Sequence, residues 1–289
     1  MGAFAGIDDS VPSGTLFTVN GTGVADPFGA SVPADLARAL VQRAEGMWNW
    51  QPVGYPAAAF PMGPSVHVGR AALCAQIRRH PGPVALSGYG QGALIVSTVW
   101  RDDLLAADGV LHDRLADVAA IVNFGDPMRC PGLANGNAFA GAPLPRNIDG
   151  FVSGGIAGPG NLTPEQTPDF LLSFANDADL YTCAPTGPDP WNDETDVGYN
   201  ERIVFDILQA ATVTRVSTIA AEVAETLNQP VEQIVPMVRS IAGGAFFLGA
   251  GVGGPHARYD FTPAVRFLTE VGANLRVRAL IDAAMPPAL

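Results

Sequence analysis

Short apolar runs that stop at glycine alternate along this chain with longer stretches in which apolar residues recur every three or four positions. Leu16–Val19 is the first such run, and it ends at Asn20-Gly21-Thr22-Gly23. Apolar residues then fall at 32, 36, 40, 41 and 44 with Pro33 in the first turn, which predicts a helix over Val32–Ala44. Val53–Tyr55 predicts a second strand, and Val66–Arg79 a second helix that His80-Pro81-Gly82 stops. Val84–Ser87 leads through Gly88-Tyr89-Gly90-Gln91-Gly92 into a helical pattern from Ala93 to about Ala107. Val118–Phe124, closing on Gly125-Asp126-Pro127, and Leu171–Phe174, closing on Asn176-Asp177-Ala178-Asp179, read as further buried strands.

Strands alternating with helices, with glycine at the strand ends, indicate a parallel sheet covered on both faces. Its ligands are expected at the carboxyl ends of the strands. The stretch from about Asp193 to Gly244 differs: it carries helical patterns at Glu201–Ala211, Val216–Leu227 and Val231–Ile241 and no convincing strand. It reads as a helical insertion. The expected division is a core over 1–192, the insertion over 193–247, and a return to the core over 248–289. In that return the Gly-rich passage Gly249–Gly254 runs into Pro255-His256, and Thr262-Pro263 caps a last helix through about Ala283. His256 is thereby placed in a loop.

Composition narrows the function. The chain has 289 residues, 48% of them hydrophobic and 15% charged, enough apolar material for one sizeable core. A formal charge of −12 disfavours a groove that tracks nucleic-acid phosphates or an anionic lipid surface, so a neutral or glycolipid-like ligand is expected. No segment reaches the roughly 20 apolar residues that span a bilayer, and Met1–Ser10 has neither the basic stretch nor the apolar run of a secretory leader. Three cysteines, Cys74, Cys130 and Cys183, do not require a disulfide framework, although a Cys130–Cys183 bridge stays open. No metal or cofactor signature stands out. Gly154–Gly160 has neither the lysine nor the following helix of a phosphate cradle and reads as a surface loop.

The chemistry concentrates at Gly88–Gly92. In G-x-S-x-G turns between strand and helix the flanking glycines allow close packing, and the central residue takes a strained backbone conformation that exposes its hydroxyl. Here the frame is complete and the central residue is Gly90, which tolerates that geometry but carries no nucleophile. Ser87, three residues earlier in the strand, is a poor substitute. Among the histidines, His67, His80 and His112 read as structural or solvated, whereas His256 falls late in the chain, after the candidate acids Asp177 and Asp179. Asp126 reads as a possible turn cap.

The turn is similar to the G-Y-S-Q-G of cutinases. Asn20-Gly21-Thr22-Gly23 and Gly54-Tyr55-Pro56-Ala57 resemble the corresponding loops of the mycobacteriophage lysin B esterases, and the likeness covers most of the chain. It implies a cutinase-like α/β-hydrolase, a three-layer parallel-sheet fold with a helical insertion. It also implies a triad in the order Ser, Asp, His, with Gly90 at the nucleophile position, Asp179 of Ala178-Asp179-Leu180-Tyr181 as acid and His256 of His256-Ala257-Arg258-Tyr259 as base. Thr22 and Gln91 fall on the oxyanion-hole donors. Helices between acid and base belong to lysin B and not to simple cutinases, which favours the former.

In such a triad His removes the nucleophile's proton, Asp holds the imidazole tautomer, and backbone N–H groups hold the oxyanion. Losing the serine typically costs about 10⁶-fold in turnover and leaves roughly 10³ to 10⁴ over water. Two functions stay open. In the first, the chain is a catalytically impaired lysin B-like protein serving as a phage virion component, with capsid or tail proteins and mycolate-containing cell-wall glycolipid as partners. In the second, it is a mycolyl-arabinogalactan serine esterase in a nucleophile-inactivated form, present in the host cytoplasm until lysis releases it to the envelope. A third route has His256 activate water directly over a retained oxyanion hole.

Overall fold

A computed structural model describes residues 14–43, 46–146, 152–177, 179–211, 215–243 and 255–284. The Gly249–Gly254 passage and the first ten residues lie outside them. Five parallel strands, β1 (Gly14–Val19), β2 (Trp48–Pro52), β3 (Val84–Tyr89), β4 (Val118–Phe124) and β6 (Leu171–Phe174), form one sheet in the order β2-β1-β3-β4-β6. A two-stranded antiparallel ribbon, β5 (Ser153–Gly154) with β7 (Ala184–Pro185), lies apart from it.

The period-two alternation of the strands sorts the core into two layers. Leu16, Ala85, Ala120, Val122, Phe124 and Leu172 face a cluster built with α1 (Val32–Arg43) and α8 (Thr262–Ala284). Their neighbours Phe17, Val84, Leu86, Ile121 and Leu171 belong to the opposite cluster, with α2 (Met62–Arg79) and α3 (Gln91–Thr98). Both faces are therefore covered, as an all-parallel sheet requires. This is an α/β-hydrolase architecture. Across the first layer Trp48 donates its indole N–H to the Leu268 carbonyl at 2.9 Å, tying edge strand to last helix.

The chain runs outward from β1 to β2 and then resumes on the other side of β1 as β3. The carboxyl ends of β1 and β3 thus flank a topological switch point, where open parallel sheets leave a ligand crevice. Asn20–Gly23 leaves β1 there, and Gly90 leaves β3 there. After α4 (Asn135–Ala140) and the ribbon come three helices, α5 (Asp196–Ala210), α6 (Val216–Leu227) and α7 (Val231–Gly243). Thr195 caps α5 by accepting from the Gly198 N–H at 3.1 Å. Val204, Phe205, Leu208, Ile219, Val223, Ile234 and Val238 from these helices are buried in the second layer.

The structure differs from the sequence reading in several places. The second strand is Trp48–Pro52, not Val53–Tyr55, which lies just beyond its carboxyl end with the Val53 N–H still on the Thr18 carbonyl at 2.9 Å. The third helix becomes a π-helical stretch over Val99–Leu105. No disulfide joins Cys130 and Cys183 among the described residues, so the bridge left open by the sequence does not form. Among the described residues no helix is long and apolar enough to cross a membrane.

Candidate functional site

The turn between β3 and α3 places Gly90 at its apex with φ 54° and ψ −114°, a conformation that strains any residue with a side chain. The flanking glycine at 92 is required by proximity: a Cβ there would stand 2.1 Å from the Val19 carbonyl oxygen of β1. The Leu94 N–H closes the first helical bond onto the Gly90 carbonyl at 2.9 Å, so the Gln91 N–H sits ahead of the helical ladder in the first turn.

The Gln91 side chain fastens the loops beside the apex. It accepts from Ser65 Oγ at 2.9 Å and donates to the Ala58 carbonyl at 3.0 Å and to Thr22 Oγ1 at 3.3 Å. The Gly23 N–H reaches the Ala57 carbonyl at 2.7 Å, and the Tyr55 phenol donates to the Asn20 carbonyl at 2.6 Å. Thr22 and Gln91 therefore lie side by side next to Gly90.

On the other side of the apex stands an acid–base pair. Asp179, in the loop after β6, has no exposed side-chain surface, and its oxygens lie 2.8 and 3.0 Å from Nδ1 of His256 in the short 3-10 turn Pro255–Ala257. The imidazole is held between two phenol rings, stacked on Tyr89 at 4.8 Å and tilted against Tyr181 at 4.9 Å. The Tyr89 hydroxyl donates to the His256 carbonyl at 2.8 Å, which fixes the turn as well as the ring. His256 Nε2 points at the apex: it lies 2.8 Å from where a Cβ on Gly90 would stand. Gly125, at the end of β4 with φ +58°, makes the pairing possible, because a Cβ there would meet the imidazole at 2.7 Å and the Asp179 carboxylate at 3.2 Å.

Gly90, Asp179, His256, Thr22 and Gln91 are thus brought together. Asp177 is not with them; its carboxylate accepts from the Arg146 N–H at 3.0 Å on the surface. Asp126 is also elsewhere, fully buried and accepting from Ser97 Oγ at 2.5 Å, Asn123 Nδ2 at 3.1 Å and the Met128 N–H at 2.9 Å. Burial pushes its carboxyl up to about 6. His80 and His112 make local bonds to the Gln76 and Leu104 carbonyls. Among the described residues no group of three His, Cys, Asp or Glu side chains is placed to hold a metal ion.

Three tyrosines around the pair escaped the sequence reading. Tyr89 lies inside the Gly88–Gly92 turn, Tyr181 two residues after Asp179, and Tyr259 three residues after His256. The Tyr259 phenol donates to Asp179 Oδ2, and the Tyr181 N–H to Oδ1 at 3.0 Å. Their spacing from the acid and the base was the available signal, but a lone aromatic next to an apolar run reads as core.

No family model matches the chain. It is 32% identical over 266 residues to endolysin B of Mycobacterium phage L5, covering 89% of this chain and 98% of that protein. Endolysin B of Mycobacterium phage D29 is also 32% identical, over 267 residues with the same coverage. The chain belongs to the endolysin B family. The crystal structure of lysin B from mycobacteriophage D29 matches this fold with a TM-score of 0.69 at 30% identity, over 89% of this chain and 99% of that one.

Proposed function

We propose that this lysin B relative has the site of a mycolyl-arabinogalactan serine esterase in a nucleophile-inactivated form, directed at mycolyl esters of the mycobacterial cell wall. One observation carries the reading: a buried Asp179 fixes Nδ1 of His256 while Nε2 is aimed at the apex of a nucleophile elbow. In a serine esterase that nitrogen takes the hydroxyl proton as the alkoxide attacks the ester carbonyl, and later returns it to the leaving alcohol. Backbone N–H groups at Gln91 and Thr22 would hold the oxyanion. As the chain stands, the base and its orienting acid are present and the attacking oxygen is not. His256 Nε2 stands 2.8 Å from where a Gly90 Cβ would be, which leaves little room for a water directly between base and apex.

Likeness to two endolysins supports work at the host envelope during lysis over the part of a capsid or tail component. The test is hydrolysis of p-nitrophenyl butyrate by this protein and by Gly90→Ser side by side, with His256→Ala added to the serine variant. Turnover that serine restores and His256→Ala removes supports the reading. If serine restores nothing, the pocket is not an esterase site and the proposal fails.

A further inference from the structure

Asp179 receives more than its histidine. Its Oδ1 accepts the Tyr181 N–H at 3.0 Å, and its Oδ2, the oxygen nearer Nδ1, accepts the Tyr259 phenol. A carboxylate is free to rotate about its Cβ–Cγ bond, and one donor on each oxygen removes that freedom. The Tyr259 ring is itself held, edge-on to Phe124 at 5.8 Å and to Tyr89 at 6.1 Å, and it stands at 90° to the His256 imidazole. Because Tyr259 lies three residues beyond His256, the segment that supplies the base also supplies a clamp on its acid.

The geometry points to Tyr259 as a positioning residue that fixes the rotation of the Asp179 carboxylate, shares its charge, and so sets the aim of His256 Nε2 at the elbow. This rests on the proposed reading in taking His256 as the base. Among the described residues three groups bond the carboxylate, the Tyr181 N–H from the loop after β6 and the His256 and Tyr259 side chains from the segment before α8, with Tyr89 of β3 stacked on the imidazole. Arg129 is the buried cation nearby, its guanidinium donating to the Thr182 carbonyl three residues beyond Asp179 at 2.7 Å. Among the described residues no arginine pairs with Asp179, so the phenol is the side-chain donor that shares its charge with the imidazole. Burial and then the Asp179 charge push that phenol well above its ordinary range, so it stays a donor.

Tyr259→Phe keeps the ring and removes the donor, and two measurements read its effect. In the unaltered Gly90 chain, proton NMR should show a low-field Nδ1–H resonance of His256 that Tyr259→Phe shifts or broadens. Tyr181→Phe, whose backbone N–H still reaches Oδ1, should leave that resonance in place. In the Gly90→Ser chain, Tyr259→Phe should lower kcat about tenfold while KM changes by no more than about twofold. The acid limb of the pH profile should move to higher pH, because a carboxylate with one donor fewer favours the imidazolium. An unchanged resonance together with unchanged kcat overturns the assignment, as does an equal effect from Tyr181→Phe. If Gly90→Ser is inactive, the esterase reading falls, and the resonance alone still decides the role of Tyr259.

Discussion

Nε2 of His256 stands 2.8 Å from the point a Cβ on Gly90 would occupy, closer than Cβ atoms in folded proteins approach a neighbour. A serine at position 90 therefore needs the imidazole to withdraw by several tenths of an ångström, against the Tyr89 and Tyr181 rings that hold it. It must also adopt a backbone conformation that glycine takes without strain. Gly90→Ser is expected to cost about 1–3 kcal/mol of stability. Urea unfolding of the two proteins measures this, and Gly90→Ala should show the same cost without any gain in ester turnover. An unchanged unfolding midpoint would mean that the ring yields freely.

Gly125 bears on the other side of the same ring. At φ +58° and with the imidazole 2.7 Å from its missing Cβ, it leaves no room for even a methyl group. Gly125→Ala should push His256 away from Asp179 at a cost of about 1–3 kcal/mol. In the Gly90→Ser chain it should cut turnover by roughly 100-fold or more, since base and acid act as a unit. Retained turnover would show that the 255–257 turn can shift without losing its aim.

The parts of this site readable from sequence were those with local punctuation. Gly88–Gly92 lies between a strand and a helix, and Asp179 and His256 follow strand and loop boundaries, but it was the lysin B resemblance that set them in order. Tyr259 was unreadable because its role exists only across the 80 residues that separate it from Asp179. Edge strand β2 was misplaced for a different reason. Trp48-Asn49-Trp50-Gln51-Pro52 pairs with β1 alone, so it tolerates polar residues and a proline, and the more apolar Val53–Tyr55 drew the assignment. The ribbon of β5 and β7 and the six-residue α4 are too short to carry a period.

Arg129 is the buried cation beneath the site, and it makes no ion pair among the described residues. Its guanidinium donates to the Thr182 carbonyl at 2.7 Å, the Leu133 carbonyl at 2.6 Å and Ser153 Oγ at 2.6 Å, and burial lowers it to about 10. These bonds join three segments, one of them only three residues beyond Asp179. Arg129→Met would leave those acceptors without a donor, at a cost of roughly 3 kcal/mol or more. Arg129→Lys should recover little, because one ammonium cannot span the same acceptors. Thermal unfolding of both variants distinguishes this from a filler role, in which Met would be tolerated.

Glu201 makes the pH dependence of the helical segment a direct measurement. It lies one turn before Phe205, the α5 residue that meets the Tyr181 ring at 6.4 Å, and its Oε2 is buried with no hydrogen-bond partner among the described residues. Burial raises its carboxyl from an ordinary 4.5 to about 7. A folded value above the unfolded one means that the acid form is favoured by folding. The contribution is full below about pH 4.5 and is lost as pH rises through about 7. Above that the carboxylate costs on the order of 3 kcal/mol. Glu201→Gln should therefore be the more stable protein at pH 8 and close to the parent at pH 4, with a smaller fall of its urea midpoint across the window, since buried Asp126 titrates in both proteins. A variant midpoint that falls as steeply as the parent's between pH 5 and pH 8 would show that the Glu201 carboxylate finds water there.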